Sequence, residues 1–283
     1  MEFINFTEVK NLDLYNKNIV YQGERGAYTE EACREFFGVD IDFINVGTWR
    51  DAFEAIKGGI ADYGVVPFEN STAGIISENF DLLDEYGFFI VGEQIIKIDH
   101  CLLGVKGASL SDIRTVYSHP QAFAQCSHYF DEHREFEKIN SYNTAIAAKE
   151  ISGKGDKSLG AVAGRTSAGI YSLDILCEAI QNNKGNRTRF IVIGKEPVYV
   201  EGSSKISLGL QLKNEAGSLY HALSVFHRFG LNMTSIESRP IPGMNWEYKF
   251  FIDLEGNLSS EKIQIAMEIL KKESVKLTVF GNY

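Results

Sequence analysis

The side chains with most chemical potential stand together at Asn186-Arg187-Thr188-Arg189-Phe190, where the chain enters the apolar run Ile191-Val192-Ile193. A hydroxyl held beside guanidinium groups at a strand end suits an oxygen-rich anion, because arginine offers carboxylate a rigid fork of donors. Taken alone, such a stretch is equally well a solvated turn before a strand. Its Asn-Arg-Thr triplet also matches the glycosylation sequon, usable only in a secretory pathway. Four further polar turns give it company: Gly23-Glu24-Arg25-Gly26-Ala27-Tyr28-Thr29, Glu69-Asn70-Ser71, Ser118-His119-Pro120-Gln121 and Asn143-Thr144-Ala145. Together they offer amides, hydroxyls, one imidazole, the Glu69 carboxyl and the Arg189 guanidinium. There is no GxGxxG turn, Walker loop or His/Cys ligand cluster.

Elements must position these groups, and composition bounds what they can be. A chain of 283 residues suits two domains. Its formal net charge of -10, with a pI near 5.2, argues against nucleic acid, which needs a basic face. An anionic ligand must then be held by local donors and helix N-termini against the overall field. The amino terminus has no basic segment followed by a signal-length apolar run, and no run is long enough to span a membrane. Cys33, Cys101, Cys126 and Cys177 are widely spaced in apolar contexts and form no CxxC pair. They read as buried thiols in a reducing compartment, which makes the protein cytoplasmic and leaves the sequon unused.

Residues 1 to about 17 are polar and aperiodic and read as an extension. From residue 18 the chain alternates short apolar strands with amphipathic helices, and each strand delivers one of the polar turns. The predicted units are a strand at 18–21, a helix capped by Thr29, a strand at 43–46 and a helix capped by Thr48. A strand at 63–67 and a helix carrying Ile76, Phe80 and Leu83 follow. Further on come a strand at 115–118, a helix from Ala122 to Phe130, a strand at 159–163 and a helix with Ile170, Leu173 and Leu176 on one face. Ligands of open α/β sheets sit beyond the carboxyl ends of such strands. The pattern predicts two α/β lobes around a cleft, about residues 18–98 with 188–197 and residues 99–180, the arrangement of hinged binding proteins of the periplasmic type. Gly202-Ser203-Ser204 is a linker. Beyond it Ile206 to Leu212 alternate, Leu219 to Phe229 mark a helix face, Met233 to Ser238 form a strand, and Trp246, Tyr248, Phe250 and Ile252 alternate. A helix over Ile263 to Leu270 and a last strand complete a ferredoxin-like βαββαβ order. Such a one-sided sheet often pairs with another copy.

The five turns, in this order and spacing, resemble prephenate dehydratase over about residues 18 to 197. The tail, with Gly217-Ser218-Leu219 and Ile236-Glu237-Ser238-Arg239-Pro240, resembles the regulatory ACT domain that follows that enzyme. The resemblance sets an extension at 1–17, a catalytic domain at 18–200 and an ACT domain at 201–283. It implies loss of water and carbon dioxide from prephenate to give phenylpyruvate, driven by aromatisation and needing no cofactor. The chemistry is positioning and stabilisation of a departing oxygen. Thr188 is implied at the leaving hydroxyl, with Arg189 polarising it, pairing a carboxylate or serving only as a strand-end ion pair. Asn70, Ser71, Ser118, Asn143 and Thr144 are implied as neutral donors to the substrate carboxylates. Glu69 is open between acid, base and partner of an arginine, His119 between general acid and helix cap, and Phe190 packs between the lobes. In the tail the resemblance implies phenylalanine as an inhibitor bound between two ACT domains, near Gly217, Ser218, Leu219, Asn232 and Thr234. Glu237, Ser238 and Arg239 are expected to fix the strand end or relay the signal. Leu219 is equally a plain core residue. ACT pairing implies a homodimer or homotetramer. Two departures stand out: Glu24 where the family commonly has proline, and Ser218 where alanine is common. No stretch before residue 18 is long enough for a chorismate mutase domain, so a single activity is expected. The alternatives are arogenate dehydratase, and a non-catalytic sensor of amino acids.

Overall fold

Ile19-Val20-Tyr21 and Val65-Val66 are unbroken apolar runs, and such runs make strands covered on both faces. In the computed structural model of the chain all five are at most 1% exposed. The structure describes residues 6–38, 41–241, 243–244 and 246–283. The chain divides into two compact units, Asn18–Ile76 with Gln94–Phe190, and Met1–Lys17 with Ser77–Glu93 and Ile191–Tyr283.

The first unit holds two sheets. In one, the parallel strands Phe43–Val46, Ile19–Gln22 and Tyr63–Asn70 stand in that order, with the start of strand Arg187–Gly194 beside Tyr63–Asn70. Helices Tyr28–Phe37 and Trp49–Lys57 connect the parallel strands. Thr48 caps the second of these in a reciprocal capping box with Asp51. Thr29 does not cap the first: it lies inside the helix, which begins after Ala27. Glu30 ties that end down instead, its Oε2 accepting from the Gly26 amide at 2.6 Å while Oε1 pairs with Arg34.

The other sheet runs Leu173–Cys177, His100–Val105, Leu159–Gly164, Thr115–Ser118 and Glu137–Asn140, antiparallel at its first two pairings and parallel thereafter. One apolar cluster joins it to helix Thr144–Lys154 and another to the segment 120–132. Two expectations change here. The helix expected over Ala122 to Phe130 is two short helices, Pro120–Gln125 and Ser127–Glu132, interrupted where Cys126 leaves helical backbone angles (φ -112, ψ 19). Leu173 and Leu176 belong to a strand, because Ser172 takes a left-handed conformation (φ 53) and closes helix Arg165–Tyr171. The residues 173–177, which carry Leu173, Ile175 and Leu176, then pair with His100–Val105.

The second unit carries the βαββαβ pattern. Strands Met233–Pro240, Tyr248–Glu255, Lys205–Gln211 and Lys276–Asn282 are antiparallel neighbours in that order. Helices Ser218–Arg228 and Glu261–Glu273 share an apolar core with them through Leu208, Val225, Phe226, Ile252, Ala266 and Leu270. Trp246 is not part of the alternating strand: it precedes it, 80% exposed with φ 62. The opposite face of this sheet is covered from within the chain by helix Ser77–Tyr86. Phe80 packs edge-on to Phe251 at 4.8 Å, Arg239 pairs with Asp81 at 2.5 Å, and Lys249 pairs with Asp84. Strand Phe89–Lys97 meets the last strand at Ile90 and Gly281, where an added Cβ would overlap the Ile90 backbone. The polar amino-terminal stretch also gains order, since Thr7–Val9 pairs in parallel with Val198–Val200. Its first five residues lie outside the described residues. Among the described residues no helix is long and apolar enough to cross a membrane.

Candidate active site

Asn70 closes strand Tyr63–Asn70, and its side chain turns the chain back on itself. Oδ1 accepts from the amides of Thr72 at 3.0 Å and Ala73 at 2.8 Å, so Nδ2 must point the other way. There it donates to Thr188 Oγ1 at 2.9 Å and to the Arg187 carbonyl at 3.2 Å. Both Asn70 and Thr188 are 7% exposed. Thr188 therefore accepts a bond from a fixed amide, and its own proton is committed to no partner among the described residues. A hydroxyl so polarised is a better donor than one free in water.

Asn186 is set by the same loop. Its Oδ1 accepts from Ser71 Oγ at 3.3 Å and Thr72 Oγ1 at 3.1 Å, while Ser71 Oγ accepts from the Arg187 amide at 2.9 Å. Asn186 is 1% exposed, and its Nδ2 has no hydrogen-bond partner among the described residues. A buried amide donor left unsatisfied costs about 1–3 kcal/mol, and a ligand oxygen would relieve it. Asn186 lines a cleft of about 260 Å³, with Thr72, Ala73, Gln121, Ala124, Gln125, Gln181, Asn182 and Asn183. Every polar side chain in that lining is an amide or a hydroxyl, and none carries a charge.

The remaining candidates take other positions. Arg189 lies one residue past Thr188, 3.6 Å from Glu69 and with its guanidinium over the Phe68 ring at 5.3 Å. That pairs two candidates with each other. Phe190 is buried at 2% in the core. Ser118 is fully buried and donates to the Val162 carbonyl at 2.8 Å, so it retains only acceptor capacity. His119 caps helix Pro120–Gln125, its Nδ1 accepting from the Gln121 amide at 3.1 Å, and burial lowers its pKa. Asn143 caps helix Thr144–Lys154 through the Ile146 amide at 2.7 Å, and Thr144 is the first residue of that helix. None of Ser118, His119, Asn143 and Thr144 is among the residues lining this cleft. The turn 23–29 is held by helices Arg165–Tyr171 and Thr144–Lys154: Ser167 Oγ donates to the Gly26 carbonyl, Tyr171 Oη to the Arg25 carbonyl, and Lys149 pairs with Glu24 at 2.7 Å. That bond to Lys149 is what lowers the Glu24 pKa.

The amides Gln125, Gln181, Asn182 and Asn183 were not among the expected site residues. Gln125 had a signal, standing four residues after Gln121 and so on the same helix face. The run Gln181-Asn182-Asn183 had only its polarity.

In the second unit Gly217 takes φ 89 and begins helix Ser218–Arg228, with the Ser218 amide donating to Glu215 O at 3.2 Å. Leu219 packs half-buried against the core. Asn232 is exposed, and Thr234 Oγ1 lies 3.4 Å from the Asp253 carbonyl. Glu237, Ser238 and Arg239 lie on strand Met233–Pro240, at the end of the strand order, where Arg239 pairs with Asp81.

The first unit is thus a cleft protein of α/β class whose cleft is lined by neutral amides; the polarised Thr188 hydroxyl is not itself among the lining residues but is fixed by the same Asn70–Thr72 loop that sets Asn186. Comparison with known proteins makes that more specific. The family model for prephenate dehydratase matches residues 19–198. A bifunctional chorismate mutase/prephenate dehydratase of Aquifex aeolicus is 37% identical over 265 residues, covering 94% of this chain and 73% of that protein. The crystal structure of a prephenate dehydratase from Arthrobacter aurescens, in complex with L-Phe, superposes with a TM-score of 0.85 at 27% identity, covering 94% of this chain and 89% of that one. A structure titled GqqA, a novel type of quorum quenching acylase, also has a TM-score of 0.85 at 30% identity, covering 94% and 97%. The chain belongs to the prephenate dehydratase family.

Proposed function

We propose that the protein is a carbon–oxygen lyase that converts prephenate to phenylpyruvate, carbon dioxide and water, under inhibition by phenylalanine. The observation that carries the reading is the Thr188 hydroxyl, which accepts from Asn70 and keeps its own proton for a ligand. Prephenate loses its ring hydroxyl and ring carboxylate in one net change. The electron pair of the carbon–carboxylate bond enters the ring, the carbon–oxygen bond breaks, and a proton converts the departing hydroxide to water. Thr188 donates a hydrogen bond to that oxygen as negative charge grows on it, and the Asn70 amide strengthens the donor. The cleft amides orient the substrate's carboxylates. An uncharged lining holds a carboxylate less tightly than arginine would, which favours its departure as neutral carbon dioxide.

The same lining bears on the arogenate alternative. Arogenate differs from prephenate by an ammonium group in place of a keto oxygen, and the cleft lining carries no Asp or Glu to pair with it. That favours the keto acid. An acylase needs an activated nucleophile or water, and no hydroxyl–imidazole pair lines the cleft, where the Thr72 hydroxyl is bonded to Asn186. Inhibition by phenylalanine and ACT character rest on the βαββαβ unit and on the L-Phe complex of the Arthrobacter aurescens relative. Strand Met233–Pro240 at the end of the strand order suits pairing between copies as dimer or tetramer. Four cysteines without a disulfide suit a cytoplasmic setting.

The test is phenylpyruvate formation by purified protein from prephenate and from arogenate separately, each with and without phenylalanine. Turnover of prephenate suppressed by phenylalanine is expected. Preference for arogenate overturns the substrate assignment, and phenylalanine binding without turnover of either substrate leaves a sensor.

A further inference from the structure

His100 sits behind the cleft, 3% exposed, and nothing local in the sequence marks a partner for it. It begins strand His100–Val105 and is held on every polar atom. Its amide donates to Gln181 Oε1 at 3.0 Å, and its carbonyl accepts from the Ile180 amide. Its Nδ1 is 3.3 Å from the Tyr28 hydroxyl, whose single proton has two acceptors in reach, this nitrogen and the nearer Asp99 carbonyl at 2.8 Å. Its Nε2 is 2.9 Å from Gln125 Oε1. Gln181 is tied in turn to Asp99 Oδ1 at 2.6 Å. Gln125 and Gln181 both line the cleft, so two of its amides are anchored on one buried imidazole residue.

The direction of the contact follows from the end of the Gln125 amide that faces the ring, here Oε1. An amide oxygen only accepts, so the ring nitrogen facing Gln125 Oε1 carries the proton. With its oxygen so held, the Gln125 amide turns its NH2 the other way, and that NH2 has no partner among the described residues. We propose that His100 is a positioning residue for the reaction assigned above: its Nε2–H holds the Gln125 carbonyl and thereby presents the Gln125 NH2 to an anionic oxygen of the substrate. The inference rests on the prephenate dehydratase reading. Without the imidazole donor the amide is free to rotate, and half its orientations present an oxygen to a carboxylate.

Three single variants and one double variant separate this role from simple packing. His100→Asn keeps a polar atom near Nδ1 and removes the donor at Nε2, whereas the amide nitrogen of His100→Gln reaches about as far as Nε2. Steady-state kinetics with prephenate should show His100→Asn raising KM about tenfold with kcat little changed, the loss expected for one hydrogen bond to a charged group. His100→Gln should restore most of the affinity. Gln125→Ala should raise KM comparably, and His100→Asn combined with Gln125→Ala should be no worse than Gln125→Ala alone, since the imidazole acts through the amide. Unchanged kinetics in His100→Asn, additive losses in the double variant, or failure of His100→Gln to restore affinity would overturn the proposal. Should the His100 variants not fold, ¹⁵N NMR of the wild-type imidazole decides: a proton on Nε2 supports it, and a bare Nε2 overturns it. Wild-type protein inactive on prephenate would instead remove the underlying reading, and the NMR result would stand apart from that.

Discussion

Replacing Asn70 by aspartate changes almost no volume and reverses one direction of donation. The carboxylate oxygen in the Oδ1 position still accepts from the amides of Thr72 and Ala73, so the turn survives. The oxygen replacing Nδ2 faces Thr188 Oγ1 at 2.9 Å and the Arg187 carbonyl at 3.2 Å. Toward the carbonyl it can only repel. Toward Thr188 it can only accept, so the threonine proton turns to the new carboxylate and away from the ligand. Two hydrogen bonds change hands in a site 7% exposed. At about 1 kcal/mol for the lost bond to Arg187, plus the penalty of an imperfectly solvated charge, Asn70→Asp should destabilise the fold by about 2–4 kcal/mol. The catalytic effect should be larger, because the donor to the leaving oxygen is removed: kcat should fall about 100- to 1,000-fold, with a small change in KM. Phenylpyruvate formation at saturating prephenate measures it, alongside a urea titration to confirm that the variant is folded under assay conditions. A folded Asn70→Asp enzyme with kcat within about threefold of wild type would refute the role given to the Thr188 proton.

Thr188→Val, isosteric but without the hydroxyl, should lower kcat by a similar factor of about 100 or more, while Thr188→Ser retains most of the rate; the Asn70 amide keeps its Arg187 bond, so a melting scan should show only a small loss. Lys249 is 6% exposed, with a pKa lowered by burial, whereas Asp84 keeps contact with solvent. Asp84→Ala should therefore cost about 3–5 kcal/mol by stranding a buried ammonium, and Lys249→Met much less, and equal urea midpoints would contradict this. Burial also holds His100 below its ordinary 6.5, against a weaker opposing pull from the Gln125 bond and Asp99. The unfolded chain then binds a proton that the folded one resists, so this contribution to stability is complete above pH 6.5 and is lost as pH falls from 6.5 towards the folded pKa. His100→Gln should flatten that acid limb in pH-dependent denaturation, leaving the like-signed contribution of His119 in both proteins. Gly26 has φ 87, and an added Cβ would stand 2.8 Å from Ser167 Oγ. Gly26→Ala should thus cost at least about 1–2 kcal/mol from the backbone alone, detectable as a lower melting temperature.

Much of this arrangement is legible in the sequence because local rules and tertiary packing agree. Thr48 caps where an N-cap should stand, and four of the five polar turns end strands or lead into helices, while the fifth, 186–190, opens strand Arg187–Gly194. The tail's alternation yields the observed βαββαβ order. What was hidden depended on partners distant in the chain. Nothing local marks Asp81 and Asp84 on helix Ser77–Tyr86 as partners of Arg239 and Lys249, more than 150 positions away. The helix's Phe80 and Leu83 stripe reads as one buried face, and gives no sign that Phe80 meets Phe251. The leucines at 173 and 176 fit a helical spacing as well as a strand, and only the left-handed Ser172 decides between them. Uncharged amides are the hardest to read. Gln181-Asn182-Asn183 has the composition of any loop, and only the fold brings it to one cleft lining with Asn186 and Gln125.

The period of a strand gives the motif at 186–190 a sharper meaning than its composition does. Side chains alternate sides along a strand, so Asn186, Thr188 and Phe190 share one side and Arg187 and Arg189 the other. The burial pattern follows the same division, with the first three buried, Arg187 exposed and Arg189 between. Groups on opposite sides of one strand cannot both aim at one oxygen without a side chain wrapping round the edge. The side holding Thr188 also holds the Asn186 amide, and both are fixed by the loop at Asn70–Thr72. The side holding Arg189 places it by Glu69, which alternates out of step with Asn70 on the neighbouring strand for the same reason. Under the proposed reaction, an ion pair on one face and a hydroxyl with amides on the other divide the labour: charge steadies the strand ends, and neutral groups are left for the substrate. For a chain with net charge -10 and a dianionic substrate, that division keeps the Glu69 carboxylate from competing with the ligand for the cleft's donors.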